Sequence, residues 1–228
     1  MKILGYSERG IINSLIFSIG EAATTNGEDL TLMNDFIGLI NIPELQKFGE
    51  PIDYEILLEH SFSDFGAADL VIIIEYDNPI HKRALFIEGK VKTLQQKSWS
   101  LEKQFSEYLK EENSSNLFFQ LYQKSHLMKN KDEINANKGG LISSKIRDRK
   151  IGENEIVWNA FKKVAECEQA YYVGLIPTSE DDIQKFNGEV DYDISFLSWE
   201  TVHNFCKKNE EKLKKVIEIF QYNEGQIY

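Results

Sequence analysis

Between Gly66 and Lys90 the chain sets two apolar runs on either side of a turn. Asp69 leads into Leu70-Val71-Ile72-Ile73-Ile74, Asp77-Asn78-Pro79 follows, and Ala84-Leu85-Phe86-Ile87 leads out to Glu88-Gly89-Lys90. No other feature limits the fold as much. Short runs rich in β-branched residues and bounded by turn residues read as strands, and so brief a connection makes the two antiparallel. The run Leu70 to Ile74 has no polar break, so both faces of the sheet need a cover of helices there. Charge is confined to the strand ends, with Asp69 at the mouth of one strand and Glu88 and Lys90 closing the other. Side chains alternate along a strand, which puts Glu88 and Lys90 on one side of the sheet.

The flanking sequence supplies the cover. Ser7 caps a helix with apolar residues at Ile11, Ile12, Leu15, Ile16 and Ile19, and Gly20 is its expected end. A second helix is expected from Glu28 to Leu39. A strand from Ile52 to His60 joins those at 69–76 and 84–91 in a meander. Helices are expected over Ser98 to Glu111, Asn116 to Met128 and Glu153 to Glu166. The strand Ala170 to Ile176, ended by Pro177, then returns in parallel. A short helix after Ser179, a fifth strand at Ile194 to Leu197, a helix capped by Ser198 and a lysine-rich helix over Glu210 to Tyr222 complete the order. The expected fold is α/β: a mixed sheet of a three-strand meander plus a returning strand, with helices on both faces, in one domain over residues 1–228. The polar segment at about 129–152, with Gly139-Gly140 inside it, reads as a long loop or lid.

Composition narrows the classes. A chain with 42% hydrophobic residues is not disordered, and its net charge of −11 opposes coating nucleic acid by bulk electrostatics. Acidity leaves room for an enzyme that acts on nucleic acid through one local basic patch. Lys138, Lys145, Arg147, Arg149 and Lys150 form such a candidate, although charge runs are more often solvated surface. No apolar run approaches a membrane span, and Asn13, Ser14 and Ser18 interrupt the stretch Ile11 to Ile19, so a cytoplasmic location and no membrane partner are expected. The lone cysteines Cys167 and Cys206 and the dispersed His60, His81, His126 and His203 offer no ligand spacing. Glu75 shares a strand face with Asp69 but stands about 20 Å away along it, so it reads as a strand-end charge.

A divalent cation that cuts a phosphodiester needs hard oxygen ligands and open positions for phosphate and water. Asp69 and Glu88 offer two carboxylates from adjacent strands, the Gly89 backbone carbonyl offers a third oxygen, and Lys90 stands beside them to orient water or meet charge on phosphate. Taken singly, each of these residues is more often a turn or strand-end charge. The set is less ordinary, because ionised groups ending an apolar central strand are costly unless paired or metal-bound.

The series Gly66-Ala67-Ala68-Asp69, Glu88-Gly89-Lys90 and Gln104-Phe105-Ser106-Glu107-Tyr108 resembles the GxxD, (D/E)xK and QxxxY motifs of RecB-type nucleases in the PD-(D/E)XK, restriction-endonuclease-like superfamily. Their order along the chain carries the resemblance, and Ala68 stands where many members have proline. It spans roughly Ser7 to Tyr108 plus the strand at Ala170 to Ile176. The resemblance implies a restriction-endonuclease-like fold and a nuclease dependent on Mg2+ or Mn2+ that acts on nucleic acid, DNA before RNA, with a homodimer as one arrangement. It implies Asp69, Glu88 and the Gly89 carbonyl as metal ligands, Lys90 as the catalytic lysine, and Glu8 on the first helix as a further ligand. Gln104 and Tyr108 would contact nucleic acid or help position the lysine. The competing expectation is a catalytically silent interaction or nucleic-acid-binding module on the same fold, which the acidity favours and the intact Asp-Glu-Lys set opposes.

Overall fold

The computed structural model describes residues 7–25, 27, 29–77, 80–92, 99–111, 115–144, 148–223 and 225–228. Five strands form one mixed sheet: β1 (Asp53–Leu58), β2 (Leu70–Tyr76), β3 (His81–Gly89), β4 (Gln169–Ile176) and β5 (Ile194–Ser198). They lie side by side in chain order. β1, β2 and β3 pair antiparallel, and β4 and β5 then add in parallel. The expected meander and returning strand are both present, and β5 extends the sheet beyond them.

Alternation along the central strands divides two cores. Leu70, Ile72 and Ile74 of β2 join Leu85 and Ile87 of β3 on one face, under α1 (Glu8–Thr25), α2 (Thr31–Gly38), α8 (Trp199–Lys208) and α9 (Glu210–Tyr222). Val71 and Ile73 join Ala84 and Phe86 on the other, under α3 (Leu101–Leu109), α4 (Leu117–Lys129), α5 (Lys131–Ala136) and α6 (Glu155–Ala165). A further helix, α7 (Glu180–Lys185), lies beside β5. The unbroken apolar run is thus accounted for: each residue from Leu70 to Ile74 is buried, on alternating sides. Burying one such side chain stabilises the fold by about 2 kcal/mol, so the central strands anchor the architecture.

Caps set the helix starts as the sequence indicates. Ser7 Oγ accepts from Gly10 N at 3.1 Å, and Ser179 and Ser198 cap α7 and α8. Two expectations change. α1 does not stop at Gly20 but runs to Thr25. The hydroxyls of Thr24 and Thr25 donate to the Gly20 and Glu21 carbonyls, which satisfies acceptors near the helix end; a glycine inside a helix costs about 1 kcal/mol and does not by itself end one. The second change is in segment 129–152, whose described part is docked rather than a free lid. It holds α5 and an isolated bridge from Ile142 to Arg149, and Ile134, Ile142 and Ile151 are buried in the second core. Gly152 N donates to Ser63 Oγ at 2.8 Å and Lys150 N to Asp64 Oδ2 at 3.1 Å, so the segment is tied to the turn before β2.

Candidate active site

The charged strand ends converge on the α4 side of the sheet. The last ladder pair between β2 and β3 is Leu70 with Ile87, so one residue further Asp69 comes opposite Glu88. Asp69 is 4% exposed. Its Oδ1 accepts from Arg9 Nε at 3.0 Å and its Oδ2 from the Gly89 backbone N–H at 2.9 Å, so α1 and β3 both hold it in place.

Glu88 is fully buried, and so is Lys124, which reaches it from α4. The Lys124 ammonium stands 3.3 Å from Glu88 Oε1, yet neither carboxylate oxygen of Glu88 has a hydrogen-bond partner. The pair is therefore joined chiefly by charge, with poor hydrogen-bond alignment. Burial pushes the Glu88 carboxyl up to about 7, against the opposing pull of the Lys124 ammonium, while the nearby Asp69 carboxylate adds to the rise. Burial likewise draws the Lys124 ammonium below its ordinary value, and Glu88 resists that fall.

Lys90 is partly buried, and its Nζ donates to Gln120 Oε1 on the same face of α4 as Lys124. Lys124 Nζ also approaches the Gln120 backbone carbonyl at 3.5 Å. The main chain of Lys90 is fixed on both sides: its N–H donates to the Leu175 carbonyl at 2.8 Å, and its carbonyl accepts from Trp199 Nε1 at 2.6 Å. Gln120 is thus the hub between the two lysines.

Two glycines let the helices come this close. Gly66 has φ of +79°, and a Cβ there would lie 2.6 Å from Gln123 Oε1 and 3.1 Å from Lys124 Nζ. A Cβ on Gly89 would lie 2.9 Å from Glu8 Cβ and 3.1 Å from Ile12 Cδ1, so α1 packs directly on the strand end. The glycines of the Gly-x-x-Asp and Glu-Gly-Lys motifs therefore have packing reasons of their own. Glu8 packs over Gly89 from the α1 face, whereas Glu88 points to the α4 face, so the expected further ligand does not join Asp69 and Glu88 in one group of three carboxylates.

Other expected residues stand elsewhere. Gln104 Oε1 accepts from Leu117 N at 3.1 Å and its backbone carbonyl from Asn116 Nδ2 at 2.6 Å, so its side chain closes the start of α4. Tyr108 lies over Phe118 and Tyr122, with ring centres 6.0 and 6.4 Å away, and burial pushes its phenol up to about 12. α3 packs on α4, whereas α4 packs on β3 and β4, so the described contacts of this Gln-x-x-x-Tyr run are structural. Arg149 is 1% exposed; it donates to the Asp64 carbonyl and lies over the Phe119 ring, which takes it out of the expected basic surface. Lys138 lies with its ammonium 5.0 Å from the centre of the Trp158 ring, and Lys150 is exposed. Lys145 and Arg147 fall outside the described residues. Glu75 pairs with Lys82 across the β2–β3 ladder at 3.4 Å, as a strand-end charge should.

Gln120 and Lys124 were not singled out in the sequence. The available signal was a glutamine and a lysine four residues apart within a helix otherwise rich in Leu, Phe and Tyr. Cys167 and Cys206 are free and buried in opposite cores.

Among the described residues no group of three or more His, Cys, Asp or Glu side chains is placed to hold a metal ion. The donors at the strand ends are two carboxylates and a backbone carbonyl. The two oxygens of Glu88 lacking hydrogen bonds are of the kind a hard cation such as Mg2+ or Mn2+ takes. The donor set fits in chemistry, with the Lys124 ammonium supplying positive charge at the same carboxylate. Comparison with protein-family models, curated proteins and solved structures finds no match for the chain. Among the described residues no helix is long and apolar enough to cross a membrane.

Proposed function

We propose that this chain is a divalent-metal-dependent nuclease of restriction-endonuclease-like type that hydrolyses phosphodiester bonds, with DNA as the first substrate to test. One observation carries the reading. Two buried carboxylates, Asp69 and Glu88, meet across the ends of β2 and β3, and Lys90 follows Glu88 by two residues on the same side of the sheet. The αβββ order and the parallel β4 support the fold assignment without deciding it.

Asp69, Glu88 and the Gly89 carbonyl would hold Mg2+ or Mn2+. When bound, such an ion polarises a phosphoryl oxygen and lowers the pKa of a water. Arg9 and the Gly89 N–H orient Asp69. Gln120 holds the Lys90 ammonium, where its charge can orient water and offset charge building up on phosphate. The expected test is cleavage of linear and circular, single- and double-stranded DNA in Mg2+ or Mn2+, lost in Lys90→Ala. Undiminished cutting by Lys90→Ala would remove the assignment.

A second reading is favoured by one feature. Glu88 has no exposed surface and Lys124 already faces it, as would suit a silent module that keeps the fold for interaction. Calorimetric titration with Mn2+ separates the two: a silent module takes up no ion that depends on Asp69.

A further inference from the structure

We propose that Lys124 is an internal counter-cation that competes with a divalent ion for Glu88 and thereby sets the metal affinity of the site. The inference rests on the metal-site reading above and assigns a role to a residue outside the motif series.

A lysine ammonium is rarely buried to 0% exposure, because leaving water costs more than the aliphatic stem returns. A leucine or methionine at this position of α4 would fill the core without that penalty. Here the ammonium ends 3.3 Å from Glu88 Oε1, a charge contact whose hydrogen-bond alignment is poor. Its described polar contact besides Glu88 is the long 3.5 Å approach to the Gln120 carbonyl. Lys124 is thus held to Glu88 by charge, and a second cation can displace that kind of contact.

The neighbouring groups sharpen the argument. From α1 come Arg9, bonded to Asp69, and Glu8, packed on Gly89; from the strands come Asp69, Glu88 and Lys90; from α4 come Gln120, Gln123 and Lys124. Of the three cations, Arg9 is shared between Asp69 and Glu59, 3.8 Å away, while Lys124 and Lys90 both stand near Glu88. An incoming dication must therefore work against a positive charge a few ångströms away, in surroundings that screen poorly. Removing the Lys124 charge leaves Glu88 with no ammonium beside it and an incoming ion with one fewer positive neighbour.

The experiment is calorimetric titration of Mn2+ into the full chain, with thermal melting in EDTA and in Mn2+, for the parent, Lys124→Met and Lys124→Arg. At pH 8.5, where a proton on Glu88 competes least in place of the ammonium, Lys124→Met is expected to bind Mn2+ about tenfold more tightly or better and to gain more melting temperature from the ion than the parent. Lys124→Arg, which keeps the charge, is expected to stay close to the parent. Adding Asp69→Asn to Lys124→Met should abolish the gain. Equal affinities for the parent and Lys124→Met would overturn the competition while leaving the nuclease reading standing. Absence of Mn2+ binding in both would overturn the two together. If Lys124→Met is unfolded without metal, circular dichroism should show it refolding in Mn2+; failure to refold would also overturn the proposal, because a cation replacing the ammonium must restore the missing counter-charge.

Discussion

The buried Glu88–Lys124 pair makes a two-sided prediction about stability. In Lys124→Met the Glu88 carboxylate loses its partner, and its escape is to take up a proton. Carrying a carboxyl from its ordinary 4.5 to neutrality at pH 7 costs at most about 3 kcal/mol, at about 1.4 kcal/mol per pH unit. In Glu88→Gln it is the ammonium that is stranded, and it escapes by losing a proton. Its ordinary value is 10.5, so the ceiling at pH 7 is about 5 kcal/mol. Glu88→Gln should therefore be the more damaging change at neutral pH. The pH dependences have opposite signs. In Lys124→Met the folded state holds a proton on Glu88 that the unfolded chain releases above 4.5, so stability falls as pH rises from there towards the raised folded value. In Glu88→Gln the unfolded chain keeps a lysine proton that the folded state lacks, so stability rises with pH towards 10.5. The double variant strands neither charge and should return to within about 1–2 kcal/mol of the parent, or exceed it. Urea denaturation of all four proteins at pH 5.5, 7 and 8.5 in EDTA measures this. Single-variant losses below about 1 kcal/mol, or two profiles running parallel with pH, would refute the reasoning that the pair is buried and mutually dependent.

Gln120→Leu frees the half-buried Lys90 ammonium to turn towards solvent, so it should cost about 1 kcal/mol or less in stability while cutting the rate of DNA cleavage at least about tenfold, read by melting and by gel assay. Gly89→Ala puts a methyl 2.9 Å from Glu8 Cβ and 3.1 Å from Ile12 Cδ1, so urea denaturation should show a loss of about 1–3 kcal/mol as α1 is pushed outward. Gln104→Ala removes the acceptor for Leu117 N and should cost about 1 kcal/mol. Were Gln104 instead a nucleic-acid contact, DNA affinity would fall with stability unchanged.

What can be read along the chain is what neighbouring residues settle among themselves. The run Leu70 to Ile74 demands a strand buried on both faces. The turn residues between the two runs imply pairing with Ala84 to Ile87, and once that hairpin is in register Asp69 must meet Glu88. Alternation then puts Lys90 on the side of Glu88. Capping serines and the apolar spacing of α1, α6 and α8 are local in the same way. The glycines of both motifs were visible, but their reasons were not, since the atoms that forbid a Cβ belong to α1 and α4. The role of α4 was equally hidden. Its residues are buried around most of the helix, so no clean apolar stripe announced which side faced the sheet, and Gln120 and Lys124 read as side chains facing solvent. Gln104 and Tyr108 matched a motif by spacing, yet their described contacts run to α4 and not to the strand ends. Arg149, counted with the basic residues of a polar segment, is drawn inside by the Asp64 carbonyl and the Phe119 ring. The sequence by itself determined the strands, their register and the carboxylate pair, because those follow from alternation and short connections. Tertiary structure alone decided which cation stands beside Glu88, because that depends on which helix the long connection from β3 to β4 lays against the strand ends.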